Sequence, residues 1–141
     1  MSLDRAVVAL GLGLAAALGA VAVAVAVGRA DGPIVVELTI RHSHFEPAAV
    51  SVPAGREVTF VIRNTDPIDH EWIVGDDGVH ERHRLGTEPV HDARPTEVSV
   101  PALEERRTTV TFPTVGGLQY ICHLPGHEAY GMVGSVEVAA P

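Results

Sequence analysis

The sequence predicts an all-β protein, a sandwich of about eight short strands, preceded by an N-terminal hydrophobic helix. Three observations predict the sandwich. Beyond Gly32 the apolar residues recur with period two rather than 3.6. Turn-forming clusters of Pro, Gly, Asn and Asp punctuate the chain at short intervals. No segment of that region reads as a long helix, so the strands are expected to pair as an antiparallel sandwich.

Residues 6–27 form an unbroken apolar run without charge, preceded by Asp4 and Arg5 and followed by Arg29. As a helix at about 1.5 Å per residue it would be about 33 Å long, enough for a bilayer core. A secretory h-region is usually shorter, roughly 7–15 residues. The run is rich in Ala and Gly, however, and Gly28 and Ala30 would suit cleavage after Ala30. Residues 1–30 are therefore expected to be a transmembrane anchor, with a removed signal as the alternative. Residues 31–141 are expected to form one domain outside the cytoplasm. No Cys stands at the end of the run, so a lipoprotein anchor is not expected.

The strands then follow in order. Val36, Leu38 and Ile40 alternate with Glu37, Thr39 and Arg41; Val58, Phe60 and Ile62 alternate with Thr59, Val61 and Arg63. Trp72 to Val74 is a short apolar strand and Gln119 to Cys122 another. Val98 with Val100, Val110 with Phe112, and Val136 with Val138 repeat the alternation. Glu46-Pro47, Pro53-Ala54-Gly55, Asn64 to Pro67, Pro113 to Gly117 and Pro125-Gly126 read as turns. Asp76 to Pro95 breaks the rhythm: it is polar and too long for a hairpin loop, so a surface excursion with one helical turn is expected.

Composition excludes one large class of function. The chain has no Lys, ten cationic residues against eighteen acidic ones, and a formal charge of −8. A nucleic-acid site needs a basic stripe, and none is present. The single Cys cannot make an internal disulfide. A thiol carried outside the cytoplasm invites oxidation, and metal ligation is one reason to keep it.

Cys122, His127 and Met132 are spaced C-x4-H-x4-M, from a strand end through a Pro- and Gly-containing loop into the next strand. Thiolate, imidazole and thioether together suit copper in both oxidation states, whereas zinc would take a further His, Cys or carboxylate in place of the thioether. A second His is needed, and His70 is the best placed, after the Asn64–Pro67 turn and at the start of the Trp72 strand. Two His and one Cys would then form a trigonal plane, with Met132 as a weak axial ligand. His123 adjoins Cys122 and should point to the other side of its strand, so it is not expected to be a ligand.

These residues, with Phe45-Glu46-Pro47 and Val52-Pro53-Ala54-Gly55, resemble the cupredoxins, the type 1 blue-copper proteins, over roughly Ile34 to Val138. The loop spacing is more similar to rusticyanin, auracyanin and sulfocyanin than to plastocyanin. The resemblance implies a Greek-key β-sandwich with one copper at its end, held by His70, Cys122, His127 and Met132. It also implies that the His127 edge reaches the surface through an apolar ring, for which Leu124, Pro125, Ala129, Tyr130 and Ile68 are placed. One departure stands out. Plastocyanins and azurins usually place Asn after the first ligand His, where it braces the Cys loop; here that residue is Glu71.

The expected function is transfer of single electrons between extracytoplasmic redox proteins, such as a cytochrome or an oxidase, without catalysis of a reaction on substrate. The alternative is a homeostasis module that stores or delivers copper. His42 with His44, on one face of the first strand, and His80 with His83, if that segment is helical, are further chelation candidates; His91 has no assignment.

Overall fold

The structure, a computed structural model, describes residues 24–25, 32–91 and 93–141. Two sheets pack face to face. One holds β3 (His44–Glu46), β2 (Ile34–Arg41), β5 (Glu57–Asn64) and β8 (Glu105–Thr111) in that order. The other runs β1 (Ala24–Val25), β4 (Ala49–Pro53), β10 (Val133–Ala139), β9 (Gly116–Ile121), β6 (His70–Gly75) and β7 (Glu97–Val100). The expected sandwich is present. Seven of the ten described strands are those the alternation marked; the other three are β3 and β4, flanking Pro47, and the two-residue β1.

The pairing is mixed rather than antiparallel throughout. β2 lies parallel to β5, and β4 lies parallel to both β10 and β1. Side-chain alternation is the same in both ladder types, so the sequence pattern carried no information on direction.

The alternation does place the core. Ile34, Val36, Leu38 and Ile40 of β2 and Val58, Phe60 and Ile62 of β5 are buried between the sheets. Trp72 and Val74, Tyr120, and Val136 and Val138 face them from the other side. The few aromatics sit together: Phe60 is 4.8 Å from Trp72 and 6.2 Å from Phe112, centroid to centroid. Each such side chain contributes about 1.5–3 kcal/mol on burial. That core is what fixes the strand ends carrying the site.

The polar excursion is more ordered than expected. Asp76 caps a helix, α1 (Asp77–Arg84), by accepting from the Val79 N–H at 3.0 Å. His80 and His83 on that helix are buried, as is His91 beyond it. The second helix, α2 (His127–Tyr130), is one turn in the Cys–Met loop. No helix among the described residues is long and apolar enough to cross a membrane. The helix expected over residues 6–27 falls outside the described residues, except that Ala24–Val25 are extended beside Val50 and Ser51.

Candidate metal centre

Strand direction brings the donors together. β6 starts, β9 ends and β10 starts at the same end of the sheet, because β9 is antiparallel to both neighbours. His70 is the first residue of β6, Cys122 follows β9, and Met132 precedes β10. The intervening loop is closed by its own backbone. The Cys122 N–H donates to the Met132 carbonyl at 3.2 Å, and the Met132 N–H donates to the His127 carbonyl at 3.0 Å. Gly126 and Gly131 bracket α2 at φ 85° and 102°, a left-handed backbone that favours glycine.

His127 Nδ1 lies 3.2 Å from both Cys122 Sγ and His70 Nδ1. One donor atom from each of these three residues fits within 4.8 Å of the others. Cys122, His70 and Met132 are buried, while His127 is partly exposed. The four residues expected to share a metal are thus gathered at one strand end, with Met132 placed by the loop backbone. The soft thiolate and thioether with two imidazoles fit copper.

Asp66 orients the first imidazole. Its Oδ2 accepts from His70 Nε2–H at 3.0 Å, which leaves the Nδ1 lone pair facing the other donors. Asp66 also accepts from the His42 and Ser43 N–H groups, each at 2.7 Å. Burial raises the Asp66 carboxyl, but these backbone N–H groups and His70 outweigh it and hold the pKa below the usual value. Burial lowers His70, so the imidazole is kept neutral and available as a ligand. Burial pushes the Cys122 thiol up to about 11, against partial relief from the Glu71 and Leu124 backbone N–H groups. At neutral pH the metal-free site therefore holds a thiol, and metal binding must displace its proton.

Glu71 does brace the Cys loop. Its Oε1 accepts from the His123 N–H at 2.9 Å, and Thr87 Oγ1 donates to its carboxylate at 3.1 Å. Asn64 stitches the approach to His70 by donating to the Ile68, Val100 and Pro101 carbonyls.

The remaining histidines sort differently from the expectations. His42 does not share a strand face with His44: it sits in a turn at φ 53° between β2 and β3, with His44 Nδ1 on its carbonyl. His80 and His83 are on one helix but do not converge. His80 Nε2–H is shared between the Gly75 and Gln119 carbonyls, and its Nδ1 meets His123 Nε2 at 3.0 Å. His83 instead gathers with His91 and Glu97. Sequence reasoning missed Asp66, whose only signal was its position four residues before His70, and Glu97, which stands just before the alternating Val98 and Val100.

A β-sandwich with a His, Cys, His and Met donor set at one end defines a cupredoxin with a type 1 copper site. The chain belongs to the copper binding proteins of the plastocyanin/azurin family, which it matches over residues 34–139. Among relatives, the copper-resistant cuproprotein CopI of Rubrivivax gelatinosus is 32% identical over 108 residues, 74% of this chain and 64% of that protein. The CopI of Pseudomonas aeruginosa is 26% identical over 136 residues, 73% of this chain and 75% of that one. The chain thus spans 64% of the length of the first relative. Auracyanin A, a blue copper protein of Chloroflexus aurantiacus, superposes with a TM-score of 0.61 at 27% identity, covering 77% of this chain and all of that one.

Proposed function

We propose that this protein carries single electrons between extracytoplasmic redox proteins through one copper held by His70, Cys122, His127 and Met132. The observation that carries the reading is the convergence of three donor atoms within 4.8 Å on strand ends that a packed core fixes. Copper, when bound, supplies a one-electron couple between Cu(I) and Cu(II). The chain supplies constraint. Asp66 fixes the His70 ring, the Glu71 carboxylate and two backbone N–H groups hold the Cys122 loop, and the loop's own hydrogen bonds hold Met132. A donor set held this way changes little between oxidation states, which favours fast transfer.

The exit for the electron is the His127 ring, the one His of the set not buried. Pro125, Ala129 and Tyr130 are exposed beside it in sequence, Leu124 is partly buried, and Ile68 is exposed on the loop before His70. These apolar residues make the face on which a cytochrome or oxidase would dock transiently. The apolar run of residues 6–27 would export the domain and tether it to the membrane, or be removed after export.

A second reading, copper storage or delivery, is favoured by the similarity to the copper-resistant cuproproteins CopI. Reconstitution with Cu(II) separates the two. An electron carrier shows an intense visible thiolate-to-copper band that bleaches on reduction and returns on oxidation, and Cys122→Ser abolishes it. A colourless, labile Cu(I) complex sinks the carrier reading, and an unchanged spectrum in Cys122→Ser sinks the proposed ligand set.

A further inference from the structure

We propose that His83, His91 and Glu97 form a second metal site, built for a divalent d-block cation such as Cu2+ or Zn2+ and separate from the His70–Cys122–His127 centre. The three come from α1, the segment after it and the first residue of β7, and all are buried. His83 Nε2 and His91 Nδ1 each lie 3.7 Å from the same oxygen, Glu97 Oε2. All three donor atoms fit within 4.8 Å of one another.

The hydrogen bonds on the far sides of the two rings fix what faces inward. His83 Nδ1–H donates to the Val79 carbonyl at 2.8 Å, so its Nε2 carries the lone pair. Thr87 Oγ1 donates its proton to Glu71 and can only accept from His91 Nε2–H, at 2.6 Å. His91 Nδ1 therefore carries a lone pair too, and this buried atom has no hydrogen-bond partner among the described residues. In the neutral rings two imidazole lone pairs and a carboxylate oxygen thus point at one another. Such an arrangement is repulsive in a buried place unless a proton or a metal cation sits at its focus, and the metal engages all three donors at once.

The surroundings suit that cation. Arg94 donates to the other oxygen of Glu97 at 2.9 Å, which turns Oε2 alone toward the two rings. The exposed Glu88 carboxylate approaches His91 Nδ1 to 3.6 Å and can close a fourth position. An open cleft lined by His83, Glu88, Arg94 and Glu97 gives entry from solvent. Nitrogen and oxygen donors without sulfur select Cu2+ or Zn2+ over Cu+. The outer bonds to Val79, Thr87 and Arg94 are the orienting contacts a metal site requires.

The test uses the full chain already loaded with one copper and dialysed against Zn2+ at low concentration. One further equivalent of zinc per chain is expected, with a zinc-edge X-ray absorption spectrum showing nitrogen and oxygen neighbours only. His91→Gln and Glu97→Gln should each weaken zinc binding by about tenfold or more while the visible copper band persists. A double His42→Gln/His44→Gln variant should keep the zinc. Replacing Zn2+ by Cu2+ in the dialysis should add a copper without an intense visible band. No second equivalent, sulfur in the zinc shell, or undiminished zinc in both single variants would overturn the site. If a variant loses its visible band through misfolding, the stoichiometry and zinc-edge spectrum of the unaltered chain decide. The site and the electron-carrier reading fail separately, since loss of colour in Cys122→Ser does not bear on zinc stoichiometry.

Discussion

Glu71 stands where plastocyanins and azurins usually carry Asn, and its carboxylate reproduces the bracing bond by accepting from the His123 N–H. What Asn would not bring is charge: the carboxylate lies close enough to raise the Cys122 thiol further by Coulomb interaction. The same field stabilises the more positive oxidised site over the reduced one. Glu71→Gln keeps an acceptor for the His123 N–H and removes the charge, so it should raise the reduction potential. A rise of about 60 mV, or about 1.4 kcal/mol for one electron, is the expected scale. A redox titration of the visible band measures it, and a constant or lowered potential would show that Glu71 only braces the loop. Glu71→Ala should behave differently, costing about 1–3 kcal/mol of stability by leaving the buried N–H without an acceptor.

Elements differ in how much of them the sequence disclosed. The C-x4-H-x4-M segment was legible because its donors lie within one loop. The strands β2 and β5 were legible because every second residue of each, Ile34 to Ile40 and Val58 to Ile62, is buried, although Val61 on the other side of β5 is buried too. Strand direction was not legible, since parallel and antiparallel ladders alternate alike. Helix α1 was under-read because its buried positions are His80 and His83 rather than aliphatic residues, so no apolar periodicity marked it. The metal-binding potential of His91 and Glu97 was invisible because only the fold brings α1 and β7 together. Close packing between elements adds a further constraint the sequence could not show. Gly134 of β10 faces the Tyr120 ring of β9, and a Cβ there would overlap the ring. That ring cannot withdraw easily: its hydroxyl donates to the Pro47 carbonyl at 2.7 Å and its edge packs on Phe45. Gly134→Ala should therefore cost about 1–3 kcal/mol, read as a lowered denaturation midpoint. A midpoint equal to that of the unaltered protein would mean the strand pair can shift.

At the scale of the whole molecule, several buried histidines give the metal-free protein a stability that depends on pH. Burial lowers His123 to about 4, against the opposing pull of Glu128, and it also lowers His80 and His70. Each has a folded pKa below its unfolded value of 6.5, so the unfolded chain binds more protons in the window between the two. Stability is then complete above pH 6.5 and declines as pH falls through that value. The decline from His123 continues until about pH 4, where the folded protein also takes up the proton. His123 alone accounts for up to about 3 kcal/mol over that interval, with its side chain only 1% exposed. Urea midpoints of the metal-free protein should thus fall steadily from pH 6.5 to 4, and His123→Gln should flatten the slope. Copper loading adds a second dependence of the same sign, because protons compete for His70 and for the Cys122 thiol. Binding at pH 7 should release about one proton from that thiol, measurable as acidification of a weakly buffered solution on copper addition. A flat midpoint between pH 6.5 and 4 would mean that the buried histidines acquire their protons without cost, through partners such as Glu128 or a cation site that opens as they charge.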